Sequence, residues 1–247
     1  MRTLKLTIAY DGTNYVGWQR QANGPSIQQA VEDAVAPLVE DAERRPGVAG
    51  ASRTDAGVHA AAQVASVNIE TDLATASLQR AINVRLPLDI RVLAVEDAPP
   101  GFHARFHARG KSYRYRLVRS PVLSPFDRLY AWHVPDLADV AAMRHAAAAF
   151  VGRHDFASFQ ARGSSIIDTV RTIERLDVED RGGEVVVEIA GDGFLRHMVR
   201  AIVGTLVEVG SGLRPAGDAA AMRAARDRRA GGPTAPARGL VLIAVRY

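Results

Sequence analysis

The sequence predicts an α+β fold: a central, mainly antiparallel sheet flanked by helices. Three observations predict it. Stretches that alternate apolar and polar residues are separated by stretches of helical period. The first hundred residues read strand, helix, strand pair, helix, strand. The second half repeats that outline and contains a plain hairpin signal, which suits helices laid on one face of an antiparallel sheet. The chain has 247 residues, enough for one large domain or two of ordinary size.

Thr3 to Tyr10 alternates and reads as a strand, broken by Asp11-Gly12. A loop follows with Tyr15, Gly17, Trp18, Gln19 and Arg20. Trp18 suits a core plug better than an open stacking face. Gln19 and Arg20 beside it can contact a sugar-phosphate backbone. Ser26 is a good helix N-cap, and Ile27, Ala30, Val31, Ala34, Val35 and Leu38 recur at helical spacing. The polar run from Glu40 to Gly47 ends that helix. A second helix is expected from Leu73 to Val84, with Leu73, Ala76, Leu78, Ala81 and Ile82 inward. Ile90 to Val95 is another strand. Pro99-Pro100-Gly101 is a candidate boundary between an N-terminal half, 1–101, and a C-terminal half, 102–247.

Past that boundary the chain is dense in cations and aromatics, among them Phe102, His103, Arg105, Phe106, His107, Arg109 and Lys111. Ser112 to Val118 alternates, with Tyr113, Tyr115 and Leu117 on one face and Arg114 and Arg116 on the other. Two readings stand: an edge strand guarded by charge, or tyrosines and arginines that stack bases and hold phosphates. His103 and His107 lack the intervening carboxylate of a metalloprotease helix and follow a Pro-Gly, which disfavours a metal site. Val140 to Phe150 is an Ala-rich helix. His154-Asp155 suits capping and turn formation better than acid/base work. Thr169–Glu179 and Glu184–Ala190 form the hairpin. Phe194 to Leu206 reads as a long helix carrying Arg196 and Arg200 one turn apart. Cations there oppose the helix dipole, so a nearby anion explains them better than helix stability. Asp218 to Arg229 reads as a further helix, Gly231 to Gly239 as a rigid loop, and Leu240 to Val245 as a closing strand.

Composition narrows the function classes. No apolar run approaches the roughly 20 residues needed to cross a bilayer. The start reads as neither signal nor transit peptide, so a cytoplasmic protein is expected. The absence of cysteine excludes disulfides, thiolate zinc sites and a Cys nucleophile. Net charge is +4 and the pI about 9.7, which permits a polyanionic partner. Lys5 and Lys111 are the only lysines, a bias that a GC-rich genome also produces. The positions of the arginines therefore carry the argument.

The stretch that concentrates chemistry is Ala51-Ser52-Arg53-Thr54-Asp55-Ala56-Gly57-Val58-His59-Ala60. It sets a cation, a hydroxyl and a carboxylate within three residues, between two sheet-like segments. Such an Asp is partly desolvated, and the adjacent Arg53 helps keep it ionised. The plainer reading is an Asp that starts a turn before Gly57.

Ser52-Arg53-Thr54-Asp55-Ala56-Gly57-Val58-His59 resembles the catalytic signature of the TruA-type tRNA pseudouridine synthases. Tyr10-Asp11-Gly12 with Gly17-Trp18-Gln19-Arg20 resembles the family's opening. So do Phe102-His103-Ala104-Arg105, Tyr113-Arg114-Tyr115, Phe194 to Arg200, and Thr234-Ala235-Pro236-Ala237 before Gly239-Leu240. Six blocks in family order cover most of the chain. The resemblance implies the pseudouridine synthase fold, with two ferredoxin-like (RRM-like) halves, the first carrying the catalytic Asp and the second completing the cleft. It implies isomerisation of uridine to pseudouridine at positions 38, 39 and 40 of the tRNA anticodon stem-loop, no cofactor, no metal, and a homodimer spanned by tRNA.

The resemblance also assigns residues. Asp55 is the catalytic carboxylate, as nucleophile or as base. Tyr113 stacks on the base and can assist a proton transfer. Arg200 pairs with the Asp, and Arg53 occupies the gap left by a flipped nucleotide or holds its phosphate. Arg20, Arg105 and His197 belong to substrate binding, while His59 reads as a structural member of the outgoing strand. Two rivals stand beside this. A glycosidase built on Asp55 and His59 lacks the second carboxylate such chemistry uses. A non-catalytic RNA-binding protein lacks the aromatic RRM signature.

Overall fold

The computed structural model describes residues 1–39 and 46–247. The expected polar helix stop from Glu40 to Gly47 lies mostly outside the described residues. The chain forms two compact units, Met1–Arg109 with Leu242–Tyr247, and Gly110–Val241.

In the first unit, β1 (Arg2–Tyr10) is flanked by antiparallel neighbours, β3 (His59–Ile69) on one side and β4 (Ile90–Asp97) on the other. A short β2 (Ala49–Gly50) pairs with β3, which accounts for the expected strand pair. The period-two pattern of β1 buries Leu4, Leu6, Ile8 and Tyr10 and leaves the alternate residues half-buried. Helix α1 (Ile27–Val35) begins where Ser26 accepts the Gln29 N–H, and it buries Ile27, Val31, Ala34 and Val35. Helix α2 (Thr75–Arg85) starts two residues later than expected. Leu73 stays exposed, and its carbonyl accepts from Arg2 instead of opening a helix. Leu78 and Ile82 are buried, and the Asn83 amide donates to the Val92 carbonyl of β4 while accepting its N–H.

In the second unit, β5 (Gly110–Val118), β9 (Glu184–Gly191), β8 (Val170–Asp180) and β7 (Gly152–Asp155) lie side by side, antiparallel throughout. The short β6 (Trp132–His133) is parallel to β5. Helix α3 (Val140–Ala148) is capped by Asp139 and donates from Arg144 to the Val178 carbonyl of β8. Helix α4 (Met198–Gly210) is buried along nearly its whole length. Strand β10 (Leu240–Arg246) leaves the second unit after Val241 and enters the first. The α+β class is that expected, but β6 falls in the loop expected over 120–134 and β7 covers His154-Asp155, where a turn is expected, because both segments find strand partners in β5 and β8. Among the described residues no helix is long and apolar enough to cross a membrane.

Two helices differ from expectation. The long helix begins at Met198 rather than Phe194, because His197 adopts a left-handed conformation, φ 63 and ψ 2, at its N-cap. Arg196 therefore precedes the helix and does not share a helical face with Arg200. The helix expected over 218–229 shrinks to α5 (Ala219–Ala224). Arg226 turns left-handed, φ 51, and the Asp227 N–H is taken by the Ser158 hydroxyl.

Candidate functional site

The Asp55 turn is built by its neighbours in the first unit. Strand β1 ends at Tyr10, whose buried hydroxyl meets the Thr54 hydroxyl at 2.8 Å. Gln63 of β3, fully buried, donates to the Ser52 carbonyl at 2.7 Å and accepts the Ser52 N–H at 3.2 Å. An amide side chain thus replaces a strand partner where the chain leaves the sheet. Asp55 itself starts a tight turn, its carbonyl accepting from Val58 at 3.1 Å, with Gly57 at φ 75. The plainer sequence reading is thus true of its backbone. Its side chain is half-buried, whereas Thr54 before it is buried and Arg53 is exposed.

The opening block braces this turn from outside. The Thr54 carbonyl accepts the Trp18 N–H at 3.1 Å, and the Tyr15 carbonyl accepts the Gly57 N–H at 3.3 Å. Gly17 sits at φ 106, and a Cβ there would lie 2.5 Å from the Thr54 oxygen. Only glycine allows both the backbone angle and the approach. Trp18 is a core residue, 2% exposed, with its ring edge beneath Gly50. Tyr15 donates to the Asp89 carboxylate at 2.7 Å. Burial first, then that hydrogen bond, raises its phenol above the usual range and keeps it neutral.

His59 is buried at the start of β3, its Nδ1 3.1 Å from the Gly12 N–H and 3.0 Å from the Asp11 carboxylate. Arg20 pairs with the buried Glu32 at 3.2 Å. Arg105 is exposed, with its guanidinium 5.8 Å from the ring centre of exposed Phe106. His103 and His107 are engaged locally, the His107 Nδ1 accepting the His103 N–H at 3.0 Å.

The second unit holds Tyr113, His197 and Arg200. Tyr113 lies on β5, 6% exposed, with Phe194 edge-on at 5.4 Å between ring centres. Its strand neighbour Tyr115 is a core residue that donates to the Pro236 carbonyl at 2.7 Å, and burial first raises its phenol. Arg114 and Arg116 are paired with carboxylates. Arg114 binds Glu188 at 2.7 Å, while Arg116 binds Glu184 at 2.5 Å and Asp127 at 3.0 Å. The base-and-phosphate reading of that strand therefore narrows to Tyr113.

Arg200, in the first turn of α4, donates from Nε to the Ala235 carbonyl at 2.7 Å, and its own carbonyl accepts the Ala235 N–H at 3.1 Å. The 231–235 loop is pressed onto the same helix. A Cβ on Gly204 would overlap the Pro233 carbonyl, and the buried Thr205 hydroxyl accepts the Gly232 N–H at 2.9 Å. His197 lines an open cavity of about 490 Å³ beside Arg162, Arg196, Arg228 and Arg229. The structural reading preferred for His154-Asp155 suits Asp155: it accepts from the Ala157 N–H and the Thr169 hydroxyl and is ion-paired with Arg226. Those hydrogen bonds, with Arg226, hold its carboxyl below the usual range against the desolvation that opposes them.

Sequence reading missed the Tyr10–Thr54–Gln63 network, whose only signal was polar residues in otherwise apolar strands. It missed Arg162 and Arg228 altogether, since nothing local marks either.

The family model for tRNA pseudouridine synthase matches residues 6–107 and 146–247, which include the Asp55 turn and α4. The chain is 47% identical to a tRNA pseudouridine synthase A of Syntrophotalea carbinolica over 247 residues, covering 100% of this chain and 97% of that one. It is 44% identical to the proteins of the same name from Geobacter sulfurreducens and Pelobacter propionicus, covering 100% of both chains in each case.

Proposed function

Because this chain belongs to the tRNA pseudouridine synthase family, we propose that it converts uridine to pseudouridine at positions 38, 39 and 40 of the tRNA anticodon stem-loop, with Asp55 as the catalytic carboxylate. The observation that carries the reading is the Asp55 turn. A half-buried carboxylate stands on a bend held by neutral hydrogen bonds from Tyr10 and Gln63, inside a region that the family model matches. A fixed carboxylate of this kind is what the reaction asks of a protein.

The chemistry breaks the bond from uracil N1 to ribose C1′. Asp55 starts it, by attacking C1′ or by taking a ribose proton. The freed uracil turns and rejoins C1′ through C5; the C5 proton leaves, and N1 ends protonated. No atom is gained or lost, so mass is unchanged. We assign Tyr113 to base stacking and proton transfer, and Arg200 to favouring the ionised carboxylate. Exposed Arg53 is assigned to the gap that a flipped nucleotide leaves. Arg20, Arg105 and His197 are assigned to RNA binding. A cytoplasmic homodimer completes the proposal. A water-poor pocket keeps the cleaved sugar from hydrolysis.

The test is Asp55→Ala and Asp55→Asn, assayed on tRNA. Both are expected to bind tRNA and to lose turnover by at least about 10⁴-fold. Wild-type turnover in Asp55→Asn contradicts the assignment, and release of free uracil by the wild type points to a hydrolase instead.

A further inference from the structure

The open cavity beside the N-terminus of α4 has a lining that folding alone does not account for. Its charged side chains are Arg162, Arg196, Arg228 and Arg229, and no carboxylate lines it. Arg229 is neutralised by Asp227, at 2.7 Å, and its hydrogen bonds hold that carboxyl down to about 2. Arg228 is fixed rather than neutralised: it donates to the Gly231 and Gly232 carbonyls and to the Thr234 hydroxyl, at 3.3, 2.8 and 3.0 Å. Among the described residues the guanidinium groups of Arg162 and Arg196 make no hydrogen bond or close ion pair, although the charge of Arg162 is felt by Asp227. Burial first, then the charge of Arg162, lowers the Arg228 guanidinium from its usual range.

Like charges collected in one concavity repel, and the arrangement becomes favourable when an anion enters. His197, N-cap of the 13-residue α4, also lines the cavity, so the positive end of that helix adds to the field. Two further features make this a built site rather than a loose surface patch. The wall is rigid, since the 231–235 loop is locked to α4 through Gly204, Thr205 and Arg200. The guanidinium forks come from three separate segments, around 162, 196 and 228, which suits an anion with several oxygens approached from several sides. About 490 Å³, open to solvent, leaves room for a phosphate that remains joined to its sugars.

We propose that this cavity binds a phosphodiester of the RNA substrate, with Arg162 and Arg196 as its direct ligands and Arg228 as the fixed charge behind them. The proposal rests on the reading that this chain acts on tRNA, and it adds a phosphate site to it.

The test is the double variant Arg162→Gln with Arg196→Gln, beside the charge-keeping pair Arg162→Lys with Arg196→Lys. Affinity for fluorescently labelled tRNA is read between 50 and 200 mM salt, and pseudouridine formation is followed on the same samples. Lost phosphate contacts should weaken tRNA binding by about tenfold or more and lower the slope of log affinity against log salt by about 1.5 to 2. The lysine pair should keep most of both. Melting temperature should not fall, because the attraction of Arg162 to Asp227 that is lost is offset by relief of its repulsion with Arg228. Unchanged tRNA affinity and slope in the glutamine pair overturns the site, whatever happens to binding of inorganic phosphate. A wild-type protein that makes no pseudouridine overturns the proposed function instead, and the salt slopes still decide the cavity.

Discussion

The Asp55 turn in one unit and the arginine-lined cavity in the other each depend on a glycine pressed against a carbonyl, Gly17 on Thr54 and Gly204 on Pro233. What they hold differs. The turn is braced by neutral hydrogen bonds among Tyr10, Ser52, Thr54 and Gln63 and presents a single carboxylate. The cavity gathers guanidinium groups, two of which make no hydrogen bond or close ion pair among the described residues. A reacting group has to be fixed before its substrate arrives, so its surroundings are satisfied internally. A group that grips a polyanion keeps its hydrogen-bonding capacity for the ligand. The arginines of β5 make the same point from the other side. Arg114 and Arg116 stand out in the sequence where Arg162 does not, yet their charge is taken up by Glu188, Glu184 and Asp127.

The strongest way to break the comparison is to loosen the turn. Gly17→Ala adds a Cβ 2.5 Å from the Thr54 oxygen at φ 106, which should cost about 3 kcal/mol of stability. Melting by calorimetry reads that loss. Turnover should fall further than affinity for tRNA, because the turn fixes Asp55 and carries only Arg53 among the proposed RNA contacts. Equal losses in both would mean that the turn is a binding element.

A smaller effect is expected on β5. Arg116→Gln leaves Glu184 and Asp127 without their cation at a part-exposed site, for about 1 kcal/mol of stability. Its tRNA affinity and salt slope should match the wild type, unlike the Arg162 and Arg196 pair. A drop in salt slope would show that Arg116 contacts RNA despite its carboxylate partners, and would remove its contrast with Arg162 and Arg196.

The same contrast governs what could be read from the sequence. The α+β class, α1 with its Ser26 cap, the hairpin around Gly182, and the Asp55 stretch were legible because each is written in contiguous residues. The start of α4 was not, because apolar spacing runs unbroken through Phe194 and only the left-handed His197 ends it. The residues 218–229 have helical composition, but Ser158, 69 positions away, captures the Asp227 N–H. Arg162, Arg196 and Arg228 meet around one cavity through tertiary folding alone, so no spacing rule could group them. Arg114 and Arg116 misled because their carboxylate partners Glu184 and Glu188 lie about 70 residues further on, across a strand pairing that residue order does not reveal.

The most direct measurement of the central claim is a map of pseudouridine in tRNA from cells with and without this protein, made by chemical labelling and mass analysis. The account predicts that pseudouridine at positions 38, 39 and 40 disappears with the protein and returns when the wild-type chain, but not Asp55→Ala, is restored. Retention at all three positions, or loss confined to sites outside the anticodon stem-loop, would contradict it.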